Sequence, residues 1–146
     1  MLRPRSRGTV RLRSSDPAAA PRIELPNLSD PSDVRRLAEG YQRALEVARQ
    51  PQVRRLCTDQ PAPVSRGDEV GEFIRVNGYS IPHVAGTCSM GRVDDGAVVD
   101  ASGRVHGTDR LSVIDASIMP DVPSGFTHIP TIMIAERLSE QIGSVL

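Results

Sequence analysis

Histidine is the side chain whose ordinary pKa lies nearest neutrality, and the chain carries three: His83, His106 and His128. They are the first candidates for moving a proton. An isolated histidine more often serves packing than catalysis, so the surroundings must separate the three. His106 lies between Val105 and Gly107 in a segment that reads as a hairpin strand, where a structural role is the better reading. His83 opens a loop containing Gly86 and Thr87 with little regular periodicity, and functional groups are commonly held on such loops. His128 stands two residues before Pro130, at the mouth of a helical pattern, where backbone N–H groups lack partners and the dipole is positive. A helix start of this kind favours an anion within reach. Two loop histidines facing one such helix end would form an acid/base site.

Other chemistries fit less well. A metal centre would have to combine His83, His106 and His128 with a carboxylate such as Asp115, and none of these has the short spacing of recurrent metal sites. No metal is therefore expected. Cys57 and Cys88 are too few for a disulfide scaffold in a chain of 146 residues. The pairs Arg35-Arg36 and Arg54-Arg55 have acids nearby and read as a solvated face rather than an interaction patch.

The elements that must position these groups follow from pattern. Thr9 to Arg13 alternates strictly and Arg22 to Leu25 alternates again, so a hairpin or adjacent strand pair is expected across the turn at Ser15-Asp16-Pro17. Asp30 as N-cap, Pro31 at the first helical position and Asp33 in the first turn begin a helix. Val34, Leu37, Ala38, Tyr41, Ala44, Leu45 and Ala48 continue it at helical spacing, and it should stop before Pro51. Residues 51–66 look like a surface connection. Asp68 to Val76 reads as a second helix with Val70, Phe73 and Ile74 on one side. Tyr79 to Gly91 looks like an ordered loop, and Val98 to His106 a hairpin around Ala101-Ser102-Gly103. Leu111 to Asp115 predicts a buried strand, and a final helix has Thr127 or His128 at its cap, starts at Pro130 and is stopped by Gly143.

Composition narrows the function. Eighteen basic and eighteen acidic residues give zero net charge, and only four aromatics are present, so no nucleic-acid platform is expected. Every basic residue is Arg, which reads as a bias of the source rather than a phosphate site. The first twenty residues lack the apolar run of a signal peptide, and no apolar stretch approaches membrane-spanning length. A cytoplasmic protein without a transmembrane segment is expected.

The motifs of the second half also carry a family resemblance. His83-Val-Ala-Gly86-Thr87-Cys88-Ser-Met90-Gly91, Val98-Val99-Asp100, Val105-His106-Gly107, Leu111 through Pro120, and His128-Ile-Pro130-Thr131-Ile132-Met133-Ile134-Ala135-Glu136 occur in that order. Together they resemble the C-terminal signature of the glucose–methanol–choline (GMC) oxidoreductases, FAD-dependent enzymes that oxidise alcohols. Pro4 to Val10, Asp16-Pro17 and Pro31-Ser32-Asp33 are similar to the start of the family's substrate-domain sheet and the helix after it. Pro123 to His128 is somewhat similar to dehydrogenases associated with the mycofactocin redox system of actinobacteria.

The resemblance implies a role for each matched position. His83 corresponds to the general base that removes the alcohol proton while hydride passes to flavin N5. His128 corresponds to its partner, which is His in some members and Asn in others. Asp115 and Ala116 match residues at a strand end that contact FAD through their backbone. His128, Ile129, Pro130 and Thr131 match a helix start facing the flavin pyrimidine edge, where the positive dipole end suits the charge of the reduced ring.

The implied fold is α+β. Residues 1–78 would supply part of an antiparallel substrate-domain sheet with packed helices. Residues 79–146 would form a flavin-facing segment whose C-terminal strand and helix belong to an FAD-binding domain. The family's Gly-x-Gly-x-x-Gly turn for the FAD pyrophosphate has no counterpart in the sequence. The chain is therefore expected to resemble only the last quarter of a full enzyme, as a truncated frame, one subunit of a split enzyme, or a remnant. Its partners would be an alcohol substrate and the missing FAD-binding portion. The rival reading is a non-catalytic remnant or companion subunit that cannot bind FAD alone.

Overall fold

Helix α1 (Pro31–Ala48) begins where a carboxylate and a proline coincide: Asp30 accepts the Ser32 N–H at 2.7 Å, and Pro31 sits at the position that needs no N–H. The computed structural model describes residues 3–57, 67–80 and 83–143. It divides into two compact units, the first containing residues 3–8 and 25–80, the second residues 9–24 and the chain from 81 onward.

In the first unit, α2 (Pro51–Arg54) is a single turn after α1, inside the stretch expected to be a plain connection. The remainder of that connection, 58–66, lies outside the described residues. Helix α3 (Gly67–Asn77) packs on α1. Val34, Val70 and Ile74 are buried, and the rings of Tyr41 and Phe73 meet at 5.4 Å. The expected apolar side of this helix is therefore the side that packs.

Asp33 does more than complement the dipole. Its carboxylate is fully buried and accepts the Arg5 N–H on both oxygens at 2.9 Å, the Ser6 N–H at 2.8 Å and the Ser6 hydroxyl at 2.7 Å. The Ser6 hydroxyl in turn accepts the Asp30 N–H at 3.1 Å. One side chain of α1 thus satisfies the backbone of a segment with no regular structure of its own.

In the second unit, β1 (Thr9–Arg11) and β2 (Arg22–Glu24) pair antiparallel in the register Thr9–Glu24, Val10–Ile23, Arg11–Arg22. The expected pair is present, but β1 ends two residues early and both strands are exposed. The unit's core lies elsewhere, around Val99, Ile118 and Leu138, with Met90, Val98, Val105, Val113, Ile114 and Ile134 packed against it. Leu138 comes from α4 (His128–Gly143), and Ile118 from a 3-10 turn at Ala116–Ile118.

The expected C-terminal strand at Leu111 to Asp115 is not formed. Ser112 bridges Arg104, Val105 N–H donates to Leu111 O and Val113 N–H to Gly103 O, and the ladder goes no further. Leu111 and Asp115 are exposed and the residues between them half-buried, so β-branched composition alone does not give a strand here. Asp115 and Ala116 accordingly lie at a 3-10 turn and not at a strand end. The expected hairpin from Val98 to His106 is reduced to the isolated Val99–Val105 bridge around a left-handed Gly103 (φ 74°).

Candidate active site

Thr127 immediately precedes α4 and is buried. Its carbonyl accepts both the N–H of Thr131, at 2.9 Å, and the Thr131 hydroxyl, at 2.7 Å, which closes the first helical turn. The third helical residue is Pro130, which has no N–H to offer a capping side chain. The Thr127 hydroxyl instead lies 3.0 Å from His83 Nδ1, across 44 residues of sequence. The His83 ring also packs against Phe126, centroids 5.2 Å apart and planes tilted by 57°. His83 is half-buried, and its Nε2 makes no hydrogen bond among the described residues.

The loop carrying His83 is fixed from its far end. Cys88 N–H donates to Ser117 O at 2.9 Å and Met90 N–H to Ile118 O at 2.8 Å, which ties the loop to the 3-10 turn that enters the core. Gly86 has φ 91°, and a Cβ there would meet Met119 O at 3.3 Å, so a side chain would be both strained and crowded.

Of the positions singled out from sequence, His83 thus reaches the start of α4, but it bonds Thr127 rather than His128. His128 is exposed, as is Ile129. The N–H groups of both donate to no acceptor among the described residues, so this helix start can receive an electronegative group. Pro130 and Thr131 are half-buried, and the polar groups of Thr131 are already committed to the turn. Asp115 accepts the Ser117 N–H at 2.7 Å, so its carboxylate caps the 3-10 turn. His106 stands apart, with its Nε2–H donating to Gly91 O at 3.0 Å. Among the described residues, no three His, Cys, Asp or Glu side chains gather as a metal site would require. Both cysteines are free thiols.

Sequence reading missed the side chains of Thr127 and Phe126. Thr127 appeared only as an alternative helix cap. Neither carried a local signal, since the His83–Thr127 pairing spans 44 residues of sequence.

The fold matches part of oxidoreductases of known structure. It matches an FAD-dependent oxidoreductase from Chaetomium thermophilum with TM-score 0.89 and 31% identity, covering 98% of this chain and 25% of that one. It matches pyridoxine 4-oxidase from Mesorbium loti with TM-score 0.88 and 30% identity, covering 96% of this chain and 28% of that one. A family model described as GMC oxidoreductase matches residues 4–135, and the chain belongs to that family as a C-terminal portion. Among curated relatives, oxygen-dependent choline dehydrogenase 1 of Chromohalobacter salexigens is 41% identical over 145 residues. That alignment covers 97% of this chain and 26% of the relative, so the chain spans about a quarter of its relatives' length. No helix among the described residues is long and apolar enough to cross a membrane.

Proposed function

We propose that the chain is the C-terminal portion of an FAD-dependent enzyme that oxidises a CH–OH group, with His83 as proton acceptor and His128 as its supporting partner. The observation that carries this reading is the half-buried His83 ring, anchored by Nδ1 at the start of α4 with Nε2 unbonded. A histidine held in this way can take the hydroxyl proton of an alcohol at Nε2 without first breaking a protein hydrogen bond. Choline and pyridoxine, for which two relatives are named, are both alcohols.

The donor chemistry of the α4 start suits the electron-rich edge of a flavin. The N–H groups of His128 and Ile129 would face that edge, while Pro130 and Thr131 shape the turn that presents them. The backbone of Asp115 and Ala116 would make a further contact. When bound, FAD supplies the acceptor for the hydride leaving the substrate carbon. The exposed His128 ring would hydrogen-bond the alcohol oxygen while His83 takes the proton. On this reading residues 1–78 belong to the substrate domain and 79–146 return the chain toward the FAD domain.

The test is kcat/KM of His83→Ala and His128→Asn in the intact enzyme carrying this chain. His83→Ala should lose about 10²–10⁴-fold, the usual worth of a general base, with FAD still bound. His128→Asn should lose much less, since an amide can keep the hydrogen bond. Near-full activity in His83→Ala together with abolition in His128→Asn would reverse the assignment. An intact protein that takes up no flavin would favour a non-catalytic remnant or companion.

A further inference from the structure

We propose that Thr127 is a positioning residue that sets the tautomer of His83: its Oγ1 accepts the Nδ1–H of the imidazole, so that the ring presents an unprotonated Nε2. The inference rests on the reading of His83 as proton acceptor and adds what that role demands of its neighbour.

Only one hydrogen can lie between Thr127 Oγ1 and His83 Nδ1, 3.0 Å apart. If the hydroxyl donates, the neutral ring carries its hydrogen on Nε2, and the only nitrogen facing away from Thr127 cannot accept a proton. If Nδ1–H donates, Nε2 has a free lone pair. The second arrangement is therefore the one compatible with proton removal.

The local structure leaves Thr127 able to accept. No helical N–H reaches its Oγ1, so its lone pairs are open to the Nδ1–H, and its carbonyl alone serves the Thr131 N–H and hydroxyl. Phe126 makes a tilted ring contact with the same imidazole. Once His83 is protonated, the same Nδ1–H to Oγ1 bond persists, so proton uptake needs no rearrangement of this pair. With the hydroxyl as donor, the pair would have to reverse at that moment. His106 provides an internal contrast. Its Nε2 faces a carbonyl, which can only accept, so its neutral ring must carry hydrogen on Nε2.

The test uses the intact enzyme carrying this chain, with Thr127→Val and Thr127→Ser variants. Thr127→Val keeps the volume but removes the hydroxyl. It should lower kcat by about 10–100-fold, as when the partner orienting a metal-bound histidine is removed, with KM little changed and flavin content intact. Thr127→Ser should restore most of the loss.

Nitrogen-15 spectra of histidine-labelled unmodified enzyme supply the independent readout. Neutral His83 should carry its hydrogen on Nδ1, opposite to His106. A neutral His83 protonated on Nε2, or a Thr127→Val variant as active as Thr127→Ser, would overturn the inference. His83→Ala measured alongside separates the two ideas. If it stays active, the proton-acceptor reading falls. If it is inactive while Thr127→Val is not, only the tautomer assignment falls. Should Thr127→Val fail to fold, the spectra of the unmodified enzyme still decide.

Discussion

Asp33 shows how one buried charge can be made favourable. Burial by itself raises a carboxyl pKa, yet the N–H groups of Arg5 and Ser6, the Ser6 hydroxyl and the nearby Arg36 charge hold Asp33 below the ordinary carboxylate value. The folded protein thus prefers the ionised form more than the unfolded chain does. The unfolded state binds the extra proton between the two pKa values, so stability rises with pH through that window. The contribution is complete above about pH 4, near the unfolded carboxyl pKa, and is lost as pH falls through the lower folded value. Replacing Asp33 by Ala would leave the Arg5 and Ser6 donors without their acceptor. We expect Asp33→Ala to cost about 2–4 kcal/mol at neutral pH and to flatten the acid limb of the stability curve. Thermal unfolding of both proteins from pH 3 to 7 measures this. Parallel acid limbs would show that Asp33 is not the group responsible.

At the scale of elements, the turn at Gly103 joins the isolated bridges to the core. A Cβ there would lie 2.8 Å from Val113 O and 3.0 Å from Leu138 Cδ1, at a backbone φ of 74°. Gly103→Ala therefore combines a left-handed strain of about 1–2 kcal/mol with a clash against backbone, and should lower the unfolding midpoint measurably. Gly40→Ala, which meets open space in α1, should not lower it. The same elements show what a sequence exposes. Helices α1, α3 and α4 were legible because caps, prolines and a 3.6-residue period are local. Leu111 to Asp115 was misread because a strand is defined by a neighbour, and here only Ser112 bridges one. The partners of Asp33 lie 27 and 28 residues away and that of Thr127 lies 44 away, so neither pairing leaves a local mark. The histidine candidates could be ranked by context, but the side chain that holds His83 could not be identified.

For the whole molecule, the notable surface is apolar. Phe126, Ile129 and Met133 are each more than 60% exposed, on α4 or immediately before it, and Leu111 is 52% exposed. Leu138 of the same helix is buried in the core. Exposed apolar side chains of this kind are expected to associate or to bind apolar dye. The 146-residue chain alone should therefore bind such a dye before unfolding and, without a Gly-x-Gly-x-x-Gly turn for the FAD pyrophosphate, show negligible flavin-dependent alcohol oxidation. Dye fluorescence along a thermal scan and turnover with added FAD test both; a silent dye and a flavin-dependent rate would each count against the expectation. The burial of Leu138 has a mechanical consequence. It lies on α4 about 16 Å and three turns beyond Thr127, on nearly the same side of the helix. The helix is held in the core by Leu138 and, one turn nearer its start, by Ile134, while Thr127 just ahead of it carries the hydroxyl that touches His83. A void at Leu138 would loosen that hold, and the alignment of Thr127 with His83 would then depend on packing three turns away.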